Sequence, residues 1–295
     1  MQSKNIYCNY YIQEYSITVV EGKDSVSHIN RIITSDITGI KDLQNYKTLI
    51  CDANGKIIDA IEISSISGQL LLLGISVNSQ KTRDLIVSGI HWNEEVRIMN
   101  GDGALSIITI FGKNLARLSK ALDIESSGEE KKIWEERKDL YFLNRDLIND
   151  KQVDILIQTD LVKDFIIKIE NEGVELATEY SWELHRIKNG ILSNNEYKHR
   201  YLPSELGLDK IVDLKKGCYP GQEIHARLES RGKVSKKIIR YSADCDLEIG
   251  TYKSNSGRKI RITSSVKNRG FAILSVKEES DIILDERASI SIEDL

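Results

Sequence analysis

KKGCYPGQEIHAR, residues 215–227, sets Cys218 between Gly217 and Gly221 and places one of the chain's 2 prolines, Pro220, in the same loop. Proline suits the first turn of a helix, where its fixed φ and missing N–H cost little. The following QEIHARLES contains good helix formers. Cys218 is therefore expected just ahead of a helix N-terminus, with Glu223 where the positive helix end favours an acid. Free backbone N–H groups, that helix end, Lys215 and Lys216 would all favour a thiolate. Gly217 and Gly221 permit a sharp turn or a close approach of backbone to ligand. A reactive thiol fits this pattern, and so does a tight connection with an incidental cysteine. A metal ligand fits it less well. His225 lies about two helical turns on, but His28, His91, His185 and His199 show no ligand-like spacing with the pair, and zinc sites take three or four protein ligands. No resident metal is expected. The chain has neither a GxxxxGKS/T loop nor a glycine-rich strand-to-helix turn. A Cys-His-Asp triad can be assembled from its residues, but that signal is nonspecific.

Outward from this loop, Leu214–Arg240 carries eight Lys or Arg against two Glu, a local +6 that leaves −10 for the rest of a chain of net charge −4. Such a segment points to an anionic ligand or partner, or else to a solvated basic helix and strand edge. After Gly232 the texture changes. KKIIRYSA, TYKS, KIRITSSV, GFAILSV and ASISIEDL read as short strands separated by Gly, Ser, Asn and Asp, the pattern of a small β-barrel or sandwich. A boundary is expected near Arg231, with an α+β region over 1–231 and a β domain over 232–295.

Upstream, Ser16–Val20 reads as a buried strand. Asp24 is positioned to cap a helix with Val26, Ile29, Ile32 and Ile33 on its apolar face. In TLICDANGKIIDAIEI, Asn54-Gly55 marks a two-residue hairpin turn between β-rich runs. A strand at Leu70–Val77 and a helix over 79–90 follow. A second round has strands at 105–111, 141–144, 153–158 and 174–178, and helices near 114–122, 161–171 and 179–188. The charged stretch 124–139 is expected to link two subdomains. Hairpins mixed with helices imply an α+β architecture rather than a doubly wound parallel sheet.

The 295-residue chain, 40% hydrophobic and 29% charged, suits a globular protein with more than one core. Its N-terminus lacks the features of a secretory signal, and Leu70–Val77 is far shorter than the roughly 20 residues that span a bilayer. Cys8, Cys51, Cys218 and Cys245 form no CxxC pair, which suits free thiols in a reducing cytoplasm. Cys51 and Cys245 read as small buried residues.

The run LPSELGLDKIVDLKKGCYPGQEIHARLESRGKV (202–234), with its KGCYxGQE core, resembles the signature of the YgfZ-type folate-binding proteins. These are relatives of the glycine-cleavage T-protein, an aminomethyltransferase, and mitochondrial members of the group assist iron–sulfur protein maturation. WELHRIKNGIL (182–192), DSVSHINRIITSDI and NYKTLICDANGKIIDAIEI resemble further parts of the family, so the likeness covers most of the chain and is weakest at about 115–175.

The resemblance implies ferredoxin-like α+β subdomains around a central folate-binding hole, followed by a C-terminal β-barrel. It implies tetrahydrofolate or a derivative as cofactor, with Arg186, Thr34 and Asp36 at the pocket. Lys216, Tyr219, Gln222 and Glu223 would join them from the cysteine loop. Arg186 or the basic 215–240 segment would pair with the anionic glutamate tail. Cys218 becomes the functional thiol of a protein that supports iron–sulfur cluster assembly or repair, with iron–sulfur proteins or assembly factors as partners and no membrane. Where the T-protein carries an Asp-Asp pair, this chain reads Ile58-Asp59-Ala60. That leaves Asp59 the weaker catalytic candidate and favours the maintenance role over aminomethyl transfer. Folate-dependent aminomethyl or methyl transfer, and a non-catalytic module binding a partner protein or tRNA, stay open as alternatives.

Overall fold

The computed structural model describes residues 8–75, 78–113, 115, 118, 122, 133–137, 140–147, 149–232, 234–277, 282–285 and 288–293. In chain order, β1 (Cys8–Gln13) and β2 (Tyr15–Glu21) lead into α1 (Ser25–Asn30), β3 (Asn45–Cys51), β4 (Ile57–Ile66), β5 (Gln69–Ile75) and α2 (Ser79–Ser88). Then come β6 (Arg97–Asn100), β7 (Leu105–Gly112), β8 (Glu135–Arg137), β9 (Leu140–Asp146), β10 (Lys151–Gln158), α3 (Val162–Asn171) and β11 (Glu175–Leu176). The helices α4 (Glu179–Lys188), α5 (Asn194–Tyr197) and α6 (Gln222–Arg231) precede the last strands. These are β12 (Lys236–Ala243), β13 (Gly250–Lys253), β14 (Lys259–Val266), β15 (Arg269–Ser275), β16 (Ile282–Leu284) and β17 (Ala288–Glu293). Most of the expected 114–122 helix and 124–139 link lies outside the described residues.

The chain forms two compact units. One comprises Met1–Ile29, Ile37–Lys47 and Ile61–Trp182; the other comprises Asn30–Asp36, Thr48–Ala60 and Glu183–Leu295. In the first unit a sheet runs β11-β1-β7-β10-β9-β8. Its central strands are buried on both faces, which is why they read as continuous apolar runs. Ile108, Ile110, Val153, Ile155 and Ile157 pack with Phe165 and Ile169 of α3. Alternate positions Ile107 and Leu156 turn the other way, onto Ile17, Leu71, Leu73 and Trp134. The expected Asp24 cap takes a different form: its carboxylate accepts from the Glu95 N–H at 2.8 Å, while its carbonyl accepts from His28 N–H at 2.9 Å. The helix ends at Asn30, so Ile32 and Ile33 are buried from the following loop.

In the second unit the terminal strands form a sheet in the order β13-β14-β15-β12-β17-β16. An antiparallel bridge between Ser254 and Leu284 joins its two edges, so the sheet closes into a small barrel. Ile239, Tyr241, Ile260, Ile262, Leu274 and Ile290 fill its interior. Alternate residues Ile238, Phe271 and Ile273 face outward onto Leu49, Cys51, Ile57 and Ile187. Among the described strand pairs only β1 with β11 is parallel, so the fold is α+β with a C-terminal barrel. No described helix is long and apolar enough to cross a membrane.

Candidate functional site

The candidate site residues Thr34, Asp36, Asp59, Arg186, Lys216, Cys218, Tyr219, Gln222 and Glu223 all lie in the second unit. Its centre is a contact between two tight turns. The β3–β4 connection is closed by Asp52 N–H to Lys56 C=O at 2.9 Å, with Gly55 N–H donating to Asp52 C=O at 2.9 Å. Only Gly55 is left-handed, at φ 73°. The loop thus has three residues, 53–55, rather than the expected two, and Asp52 makes the difference. Its Oδ1 accepts from the N–H groups of Asn54 at 2.9 Å and Lys56 at 3.0 Å, an Asx-type brace. Arg200 pairs with its other oxygen.

The facing turn is formed by Tyr219–Gln222. Tyr219 C=O accepts from Gln222 N–H at 3.2 Å. Gly221 sits at φ 84°, ψ 0°, the third-position geometry of a type II turn with proline second. Pro220 therefore does not begin the helix. It precedes Gly221, which is the N-cap of α6. The two turns touch through their glycines: a Cβ on Gly221 would lie 2.5 Å from Gly55 Cα and 2.6 Å from the Asp52 carbonyl oxygen. These glycines permit backbone to meet backbone.

Several side chains of the motif lock this contact. His225 is buried, and its Nε2 donates to Gly55 C=O at 2.8 Å. That leaves Nδ1 to accept from the Tyr219 hydroxyl at 3.3 Å. Burial, with lesser pushes from Cys51 and Asp213, raises the Tyr219 phenol above its ordinary range, so it stays a donor. The Gln222 amide reaches back to the carbonyls of Leu214 at 3.3 Å and Lys216 at 3.2 Å. The Lys216 ammonium points inward, donating to the carbonyls of Asn30 at 2.6 Å, Ile33 at 2.9 Å and Ser35 at 2.7 Å. Burial pulls its pKa down to about 8, opposed by the carboxylates of Asp36 and Asp213. Lys216 is thus the pin between the 30–36 loop and the cysteine loop. Lys216→Met should cost about 1–3 kcal/mol in urea denaturation, because partly buried carbonyls lose their donor. An unchanged midpoint would deny it that role.

The other motif residues face solvent. Lys215, Gly217, Cys218, Pro220 and Glu223 are exposed. Glu223 pairs along the helix with Arg227 at 3.2 Å. Cys8 and Cys51 are buried, and burial, aided by Asp52, pushes the Cys51 thiol up to about 12. Cys245, expected to be buried, is exposed in the connection between β12 and β13. Among the described residues no group of three or more His, Cys, Asp or Glu is placed to hold a metal ion.

Arg186 requires a correction. It is 1% exposed, and all five of its N–H donors are engaged within the protein. Nε and one terminal nitrogen take the Glu183 carboxylate, each at 2.5 Å. The remaining donors reach Ser264 Oγ at 2.5 Å, and Glu196 and the Ile191 carbonyl at 3.3 Å each. No donor is left for a ligand's carboxylate. The sequence pointed to Glu196 only indirectly, through the Ser193-x-x-Glu196 capping box that begins α5. Thr34 is also internal: its hydroxyl donates to Ile211 C=O at 2.8 Å and accepts from Leu49 N–H at 3.2 Å. Asp36 is exposed, and Asp59, in β4, is fully buried.

Behind α6 lies a cavity of about 580 Å³ lined by residues of the 203–234 run and by Val276.

No family model matches the chain. It is 22% identical over 286 residues to an uncharacterized protein of Haemophilus influenzae, covering 92% of this chain and 89% of that one. It is 24% identical over 233 residues to the tRNA-modifying protein YgfZ of Hamiltonella defensa, covering 77% of this chain and 67% of the relative. An aminomethyltransferase of Thermoanaerobacter pseudethanolicus matches at 20% over 245 residues, covering 75% and 63%. The structure superposes on the crystal structure of glycine cleavage system aminomethyltransferase T from Bartonella henselae with a TM-score of 0.85 at 14% identity, over 98% of this chain and 86% of that one. The chain thus shares the fold of the glycine-cleavage aminomethyltransferase, and its sequence likeness is to YgfZ-type proteins and aminomethyltransferases.

Proposed function

We propose that the protein binds tetrahydrofolate or a derivative and supports the assembly or repair of iron–sulfur clusters on other proteins, with Cys218 as its functional thiol. One observation carries this reading: Cys218 is free and exposed on a loop that Lys216, Gln222 and the Gly55–Gly221 contact hold in place. Iron–sulfur clusters are held mainly by cysteine thiolates. An exposed thiol on a fixed loop can reach a cluster carried by a partner, whereas Cys8 and Cys51 cannot. The cluster is cargo, and its remaining ligands belong to the partner.

With Arg186 engaged elsewhere, the basic segment is the source of charge for the folate tail. Lys215, exposed three residues before the thiol, is our candidate. Gly217 supports the same reading from a different side. A Cβ there would meet nothing within 4 Å, so packing does not demand glycine, and the space beside Cys218 stays open to a ligand. Where the T-protein carries an Asp-Asp pair, the chain has a single buried carboxylate, Asp59, flanked by Ile58 and Ala60. That favours maintenance over transfer.

The test is complementation. In cells lacking the native protein, Cys218→Ala should fold normally yet fail to restore iron–sulfur enzyme activity, and full rescue would remove the thiol from the mechanism. Calorimetry with 5-formyltetrahydrofolate should show saturable binding that Lys215→Glu weakens. No binding would remove the folate premise. Because several relatives carry the name tRNA-modifying protein, the modified nucleosides of bulk tRNA form a second readout in the same cells.

A further inference from the structure

The helix that follows the cysteine loop has a second side. Beneath α6, a cavity of about 580 Å³ is bounded by Pro203, Val212, Leu214, Leu228, Val234 and Val276. That volume suits a small organic molecule, and the walls are largely apolar. Three oxygen-bearing side chains share the lining: Ser204, Asp209 and Glu229. The Ser204 hydroxyl is buried within the wall rather than open to the cavity, which leaves the two carboxylates as its polar groups. Asp209 and Glu229 are exposed, and neither forms an ion pair among the described residues. His225 also borders the cavity, but both ring nitrogens are committed to Gly55 and Tyr219. It offers only its carbon edge.

The geometry points to a second ligand site, for a small organic cation with an apolar body. An ammonium group carries three donors and no acceptor. The cavity offers two carboxylates as acceptors, with an apolar enclosure for the rest of the molecule. An organic anion would meet two like charges there. This inference does not rest on the folate reading.

The test is a fluorescence titration of the full-length protein with dansylcadaverine, an apolar ring system on an amine tail, against dansylglycine, the same fluorophore on a carboxylate. Dansylcadaverine should bind saturably, with about tenfold preference over dansylglycine, the effect of two rim carboxylates worth somewhat under 1 kcal/mol each. Asp209→Asn combined with Glu229→Gln should bring the two probes within about twofold of each other. Val276 is 39% exposed, so Val276→Trp should fold while closing the cavity and abolishing the signal, with circular dichroism confirming an unchanged unfolding midpoint. Failure of dansylcadaverine to bind, equal binding of both probes, or undiminished binding to Val276→Trp would overturn the proposal. So would displacement of the dye by excess 5-formyltetrahydrofolate, which would place it in the folate site.

Discussion

Arg186→Ala is expected to lower the unfolding free energy by about 3–5 kcal/mol, the range for removing one partner from a buried ion pair. Glu196 is fully buried and would keep only the donors of Ser193 and Ser264, at 2.8 Å for the Ser193 N–H and 2.5 Å for Ser264 Oγ. Glu183 would lose both of its contacts to the guanidinium. Domains of ordinary stability hold about 5–15 kcal/mol, so the variant stands near the edge of folding. Arg186→Lys should recover little, because an ammonium has three donors and cannot reproduce a five-donor planar fork. Chemical denaturation measures the loss directly. The ligand-contact alternative predicts the opposite pattern: an unchanged midpoint with weakened binding of 5-formyltetrahydrofolate. That result would return Arg186 to the pocket.

The same residue marks the limit of what could be read from the sequence. An arginine before a glycine on a helix is visible, and so is Glu183 three residues earlier. That Glu196 and Ser264 converge on the same guanidinium depends on tertiary packing, which no local pattern encodes. The strand pattern was far more legible. The apolar runs at 16–20, 105–111 and 153–158 are strands because they are buried on both sides, and the change of texture after Gly232 marks the start of the barrel strands. β16 was missed because it is only three residues long, and β6 because its burial pattern lacks alternation. Pro220 is expected in the first turn of the helix but lies just ahead of it, before the N-cap Gly221. Its position was off because proline at N1 and proline in the second position of a type II turn share the same φ, and only the left-handed Gly221 separates them. Among the candidate site residues, the family resemblance implied ligand contacts for Lys216, Gln222 and Thr34. In the structure each bonds to backbone within the protein, and the exposed Lys215 and Cys218 are what the loop presents to solvent.

Gly221→Ala and Gly217→Ala should therefore behave oppositely although they lie four residues apart. At Gly221 the new methyl group faces a backbone already in a left-handed conformation, a cost of about 1–2 kcal/mol. It would also collide at 2.5 Å with Gly55 Cα and at 2.7 Å with Gly55 nitrogen. Neither is the end of a flexible side chain, so one of the two turns must move, adding about 1–3 kcal/mol of overpacking. Separation of the turns would strain the His225–Gly55 bond and free the Cys218 loop, so thiol labelling by a disulfide reagent should change along with stability. At Gly217 the methyl group meets nothing within 4 Å and the backbone is not left-handed. Stability should stay within about 0.5 kcal/mol. If the open space beside Cys218 receives the folate, that same silent substitution should weaken binding of 5-formyltetrahydrofolate in calorimetry. Equal stability losses at the two glycines would mean that the turn–turn contact does not hold the loop. A Gly217→Ala variant with unaltered affinity would mean that the ligand lies elsewhere than beside the thiol.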